Sequence, residues 1–311
     1  MSQDHVIVLD KIDEFTRPCV LAIGIFDGLH RGHQRVLTTA KALAKKLSAE
    51  PCVLTFDPHP SRIVSTGPES VEMICSSEER ALRFIDFGIR RVFFKKFDKK
   101  FASLDVVGFE KFLKRKFPNL RGIITGQNFL YGKKAAGNPN TLAEMSERNG
   151  WVYSAVEGLH SGGERISSTR LRRLIKKGDM GDYKRLAGSP YTCVGIVKSG
   201  KKLGRTIGFP TLNIEWNPDC KPAFGVYAVK VYRNNRVYEG VANYGCNPTI
   251  DGLALPLLEV NLFETPDFST RAKIKVELMK FIRPERKFKN LDELKCAIKK
   301  SKDKALKYFR K

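Results

Sequence analysis

The sequence predicts an α/β chain in two parts: a parallel-sheet domain, then an antiparallel β-barrel with a C-terminal helix. Three observations predict it. The chain has 311 residues, about twice the length of a typical domain. Apolar runs alternate with amphipathic stretches up to about residue 187, the rhythm of strands joined by crossover helices. Beyond Gly188-Ser189-Pro190 strand-like runs follow one another without a helical pattern until Asn290. The expected domains are therefore residues 1–187 and 188–311.

In the first part, residues 20–26 (VLAIGIF) read as a buried strand and 31–47 as the helix behind it. PCVLTF is the next strand, and Ser76 with Glu79 makes a capping box for a helix through Phe84. RRVFFKKF (strand), LDVVGFEKFLKRKF (helix), LRGIITG (strand), TLAEMSERNG (helix) and WVYSAVEGL (strand) continue the alternation. ISSTRLRRLIKKGD and a short helix through Ala187 close the domain. In the second part YTCVGIVKSG, FGVYAVKVY, RVYEGVANYG, PLLEVNLFE and AKIKVELMKF are strands, with Asn234-Asn235 as a hairpin turn. Asn290 and Glu293 cap a last helix whose apolar stripe is Leu291, Leu294, Ile298, Ala305 and Phe309.

Lys and Arg number 56 against 33 Asp and Glu, a net charge of +23, and 42% of residues are hydrophobic, which excludes wholesale disorder. No apolar run approaches the roughly 20 residues that span a bilayer, so no membrane partner is expected. The N-terminus has neither a basic n-region nor an apolar h-region, so no cleaved signal peptide is expected. Seven cysteines without a CxxC argue against a zinc knuckle or disulfide framework and for a reduced, cytoplasmic setting. Residues 271–311 hold 16 basic and 5 acidic side chains, read as a solvated lysine face in preference to a surface that attracts nucleic acid, anionic lipid or phosphorylated small molecules. Aromatic-basic strand motifs for RNA are not evident, and no nucleic-acid partner is expected. The oligomeric state is not legible.

The strongest local signal is Gly24-Ile25-Phe26-Asp27-Gly28-Leu29-His30-Arg31-Gly32-His33, a strand running into a glycine-bearing turn and a helix N-terminus. Free amides and the helix dipole there favour phosphate, and Gly28 and Gly32 let a ligand approach the backbone. His30 and His33, three apart, present donors on one helical face; otherwise they simply open a helix. Zinc fits less well, because no third ligand follows at a suitable spacing.

This FDGLHRGH stretch resembles the HxGH nucleotidyltransferase superfamily. With TFDPHP (55–60), GQNFLYG (126–132) and ISSTRLR (166–172), it is similar to the adenylyltransferase half of bacterial bifunctional riboflavin kinase/FMN adenylyltransferases. The resemblance implies a Rossmann-like nucleotidyltransferase fold, with ATP, Mg²⁺ and flavins as ligands. It implies that His30, His33, Asn128 and Arg172 are catalytic, the histidines and Arg172 by gripping the phosphates. It also implies that Gly24, Phe26, Asp27, Gly28, Gly32, Ser168 and Thr169 bind nucleotide and that Tyr131 meets the flavin. Physically the reaction needs alignment and charge neutralisation rather than a protein nucleophile, because FMN phosphate is already ionised near neutrality. Asn138 stands where Asp is common, and Tyr131 replaces the usual Phe.

In the second part, residues 200–213 (GKKLGRTIGFPTLN) form a glycine-rich, basic loop suited to phosphate, though not in Walker A order. The segment resembles the GRxxGFPTxN motif of riboflavin kinases, and GVY (225–227), NYGCNPT (243–249) and LEV (258–260) match that family in order. The resemblance implies a riboflavin kinase barrel in which Lys202, Gly204 and Gly208 bind nucleotide. Phe209 and Arg283 would bind flavin, Thr211 and Asn213 Mg²⁺, and Glu259 would be the base for the ribityl 5′-hydroxyl. Glu259 interrupts an apolar strand, where a carboxylate is costly unless used. One departure is Phe268-Ser269-Thr270-Arg271 in place of a DLYG-like loop. The implied function is conversion of riboflavin to FMN and of FMN to FAD. The alternatives are an adenylyltransferase with a degenerate barrel, or a non-catalytic flavin- or nucleic-acid-binding regulator.

Overall fold

The computed structural model of the protein describes residues 6–64, 71–199, 208–248 and 254–310. The chain separates into two compact units, Met1–Ser168 and Thr169–Lys311. Among the described residues no helix is long and apolar enough to cross a membrane.

The first unit is a six-stranded sheet. Its strands are β1 (Val6–Val8), β2 (Cys19–Ile23), β3 (Glu50–Asp57), β4 (Arg91–Lys96), β5 (Leu120–Gly126) and β6 (Val152–Val156), in the order β1-β4-β3-β2-β5-β6. All pairings are parallel, as the alternation with helices requires. The helices are α1 (Arg31–Lys46), α2 (Ser61–Val64), α3 (Ser77–Asp86), α4 (Lys99–Ala102), α5 (Val106–Lys116) and α6 (Pro139–Arg148). Side chains of β2 divide strictly by parity. Cys19, Leu21 and Ile23 join Phe109, Phe112, Leu142 and Met145 in one core, and Val20 and Ala22 join Val36, Leu37, Ala40 and Phe84 in the other. Burial on both faces explains why this strand is continuously apolar. The Ser76–Glu79 capping box forms as its spacing predicts. The three-residue β1 on the sheet edge lies beyond the sequence reading, being shorter than any periodicity. So does the small hairpin of β7 (His160–Ser161) and β8 (Glu164–Arg165).

The second unit begins with α7 (Ser168–Lys177) and α8 (Met180–Ala187). The strands β9 (Tyr191–Lys198), β10 (Leu212–Glu215), β11 (Gly225–Arg233), β12 (Arg236–Pro248), β13 (Ala254–Leu262) and β14 (Lys273–Pro284) follow. They close an antiparallel barrel in the order β10-β13-β12-β11-β14-β9. The sequence reading left Leu212–Glu215 unassigned, yet this four-residue strand is what completes the ring. Asn234 takes the left-handed conformation (φ 50°) in the β11–β12 turn, as its side chain allows. Inside the barrel lie Tyr227, Val229, Tyr244, Leu258, Val260, Val276 and Leu278, all at 0% exposure.

The outer face of β11, β12 and β14 carries α9 (Leu291–Phe309), started by its predicted Asn290 cap. Of the expected stripe Ala305 is buried, but Leu291 is 55% exposed, and Ala297 and Ser301 are buried in addition. Small residues bring the helix backbone close to Val226, Ala228 and Val241, and Phe263, Tyr308 and Phe309 pack around that contact.

Candidate functional site

In the first unit, β2 is the point where the strand order reverses, with β3 on one side and β5 on the other. Ligands of open α/β sheets bind beyond the carboxyl ends of strands at such a point. Beyond β2 lie residues 24–33, and beyond β5 lies Asn128. Phe26 (φ 56°) and Gly28 (φ 74°) turn the chain sharply, and a side chain on Gly32 would come within 3.1 Å of the His30 ring. His30 is the N-cap of α1: its Nδ1 accepts the His33 amide at 3.2 Å. The two imidazoles stack at 3.5 Å and 17°, and Phe26 meets His33 edge-on at 5.3 Å. Burial, and secondarily the Arg165 charge, press the His30 pKa down to about 4. Its ring is therefore neutral at pH 7, and with Nδ1 accepting, the proton sits on Nε2.

The neighbouring groups hold this turn. The buried Asp27 carboxylate accepts the Ile74 and Cys75 amides at 3.0–3.2 Å, and the Asp27 carbonyl accepts the Ser168 hydroxyl at 2.8 Å. Arg80, 1% exposed, donates to the Ile25 and Phe56 carbonyls and the Thr55 hydroxyl, tying β2 to β3 beneath the turn. Asn128 accepts from Arg165 at 2.8 Å. Tyr131 is buried against Phe109 and the backbone of Gly137 and donates or accepts at Thr141, so its ring is committed to packing. The half-buried Phe129 stacks on it at 5.9 Å. Asn138 is the N-cap of α6, accepting the Asn140 and Thr141 amides. Thr169 and Arg172 belong to α7 in the second unit.

In that unit the register sets out a row across four neighbouring strands: Asn213 opposite Glu259, Glu259 opposite Asn243, and Asn243 opposite Val226. Ile214, Tyr227, Ala242, Tyr244, Leu258 and Val260 point inward, so the row lies on the outside of the barrel. Arg283, opposite Val226, extends it; its Nε donates to Ser301 of α9 at 3.2 Å. Burial, then the Glu285 charge, push the Glu259 pKa up. Glu285 accepts from Asn243 at 3.2 Å in a space open only because Gly245 has no side chain. Asn261, two residues from Glu259, donates to the Pro210 carbonyl at 2.8 Å, fixing the end of the basic loop beside Phe209. Gly208 (φ +83°) has open space around it. Lys202 and Gly204 lie outside the described residues, as does Thr249.

Two family models match, FAD synthetase over residues 12–170 and riboflavin kinase over residues 187–309. The chain is 37% identical over 303 residues to the bifunctional riboflavin kinase/FMN adenylyltransferase of Bacillus subtilis, covering 96% of this chain and 95% of that one. It is 33% identical over 311 residues to the Listeria monocytogenes protein of that name, covering 99% and 97%. This chain belongs to the bifunctional riboflavin kinase/FMN adenylyltransferase family. A solved structure from Streptococcus pneumoniae, titled a macrolide-efflux protein, superposes with a TM-score of 0.84 at 28% identity, covering 96% and 97% of the two chains. That title stays with that protein; relatives named for both flavin activities match across both halves here.

In the riboflavin kinase half, the substituted 268–271 loop is anchored at the β11–β12 turn. Phe268 packs on Tyr238 at 5.5 Å and under Arg233 at 5.1 Å, and Asp267 accepts from Tyr238 and Arg236. Along β11 that turn is seven residues from Val226, at the far end of the strand from the Glu259 row. No motif in the sequence marks Arg80, Arg165, Asn261 or Glu285. Each reaches a partner at least 24 residues away along the chain, so only the fold brings them into view.

Proposed function

We propose that the protein phosphorylates riboflavin to FMN in its barrel and adenylylates FMN to FAD at the β2/β5 end of its sheet. The observation that carries the reading is the stacked His30–His33 pair on a helix N-terminus at the switch point. ATP binds there with its phosphates against the α1 amides. An FMN phosphate oxygen attacks the α-phosphorus and pyrophosphate leaves. His30, neutral and donating through Nε2, and His33 stabilise the charge that gathers on the transferring group. Asn128 and Phe129 line the flavin side, and Tyr131 supports Phe129 from behind.

In the barrel, Glu259 takes the proton of the ribityl 5′-hydroxyl as its oxygen attacks the γ-phosphorus of ATP, leaving ADP. Burial, and then the Glu285 charge, raise its proton affinity, which suits a base acting on an alcohol. The donor set of Thr211 and Asn213, a hydroxyl and an amide carbonyl beside a carboxylate, fits a hard cation completed by phosphate oxygens. Mg²⁺ held there supplies charge neutralisation for the phosphates. Phe209 and Arg283 border the flavin end. The seven thiols are free, which accords with a reducing, cytoplasmic setting.

Incubation with riboflavin and Mg-ATP, followed by chromatographic separation of the flavins, tests the reading. Both FMN and FAD are expected. FAD formed only from supplied FMN would remove the kinase step, and no turnover would sink both.

A further inference from the structure

On the flank of α9 that faces β14, a pocket of about 430 Å³ opens. Ala228 and Ile282 supply its apolar floor with the backbone of Phe281, whose ring turns to Tyr227, and Tyr308, Lys280, Lys304 and Lys307 complete the lining. It shares no residue with the Asn213–Glu259–Asn243 row or with Arg283; Ile282 precedes Arg283, so the pocket lies next to the Arg283 end of that row, while Glu259 and Asn213 stand two and three strands away from β11. The opposite flank of the helix is occupied differently, by Phe263 against Phe309 and Lys302.

Among the described residues no carboxylate pairs with Lys280, Lys304 or Lys307; Lys280 instead lies 5.6 Å from the Tyr308 ring centre. Three like charges around one concavity repel one another and concentrate an anion there. The volume falls in the range that encloses a small ligand, and the lining combines an apolar floor with three lysines.

We propose that this pocket is a binding site, separate from both catalytic sites, for a small phosphorylated aromatic ligand, either a mononucleotide or a flavin phosphate. The phosphate is held by the three lysines and the planar ring lies over the apolar floor beside Tyr308. Nearly half of the chain's net charge lies in residues 271–311, and part of it thereby gains a specific role.

The test treats the full-length protein with pyridoxal 5′-phosphate, itself a phosphorylated aromatic aldehyde, traps the imines with borohydride, and maps the labelled lysines by mass spectrometry. Labelling of Lys280, Lys304 and Lys307 about tenfold above the exposed Lys45 and Lys111 is expected, the lower end of what a one-sign cleft gives. Excess AMP or FMN should abolish that preference, and whichever protects at lower concentration identifies the ligand's source. Lys304→Gln/Lys307→Gln should drop labelling of Lys280 to the level of Lys45 while both catalytic activities persist. Uniform labelling overturns the proposal, as does protection only by an RNA oligonucleotide or by anionic vesicles. Loss of riboflavin phosphorylation in the folded double variant would make the pocket part of the kinase site, and so overturns it too.

Discussion

At His30, packing and chemistry act on the same proton. Its pKa falls from 6.5 to about 4 chiefly through burial. The unfolded chain takes up that proton near pH 6.5 and the folded chain only near 4. Stability is therefore intact above pH 6.5 and is lost as pH falls towards 4. Between pH 7 and pH 5 the loss amounts to about 2 kcal/mol. His30→Asn keeps an acceptor for the His33 amide and should remove that fall; equal urea-midpoint losses in both proteins would contradict it. For catalysis, His30→Ala or His33→Ala should abolish FAD formation at a cost of about 2–4 kcal/mol in the transition state. FMN formation should persist, and unchanged FAD synthesis would refute the assignment. Glu259→Gln should slow FMN formation by about 10²–10⁴ while leaving FAD formation from supplied FMN intact. Normal riboflavin phosphorylation by that variant would remove Glu259 as the base. These residues were legible because short motifs carry them, whereas the partners that set their environment, Arg165 and Glu285, come from distant turns.

At the scale of elements, the α6 cap explains a departure visible in the sequence. Asn138 accepts two amides through Oδ1, a task Asp performs equally well. Asn138→Ala should cost about 1 kcal/mol in urea unfolding, while Asn138→Asp should hold or raise stability next to the helix dipole. A loss on Asn138→Asp as large as on Asn138→Ala would show that the side chain does more than cap. Strands with an apolar run of five or more residues could be read directly from the sequence. Those of three or four residues could not, because β1 and β10 are defined by their partners rather than by their own pattern. The α9 stripe was misjudged for a related reason. Hydropathy favours the large Leu291, but close packing on the barrel adds the small Ala297 and Ser301 to the expected Ala305.

Across the whole molecule, the rhythm change at residue 188 was legible, but α7 and α8 belong to the same compact unit as the barrel. Their buried Leu171, Ile175, Met180, Tyr183 and Leu186 explain why, with the Ala223 amide bonded to the Ile175 carbonyl and Tyr183 against Tyr191. A fragment of residues 1–187 should make FAD from FMN; an inactive fragment beside an active full-length protein would count against an autonomous first domain. Correspondingly, a 169–311 barrel should unfold at higher urea than 188–311; equal midpoints would place α7 and α8 outside the barrel's cooperative unit. The Asn213–Glu259–Asn243 row lies outside a barrel whose interior is filled. Along β12 and β13 the even-numbered positions Ala242, Tyr244, Leu258 and Val260 face in, and the odd-numbered Asn243, Glu259 and Asn261 face out. In a saturation library screened for both abundance and turnover, the two phenotypes should therefore separate by parity. Such a layout lets selection retune the chemistry one codon at a time while the inherited scaffold stays untouched.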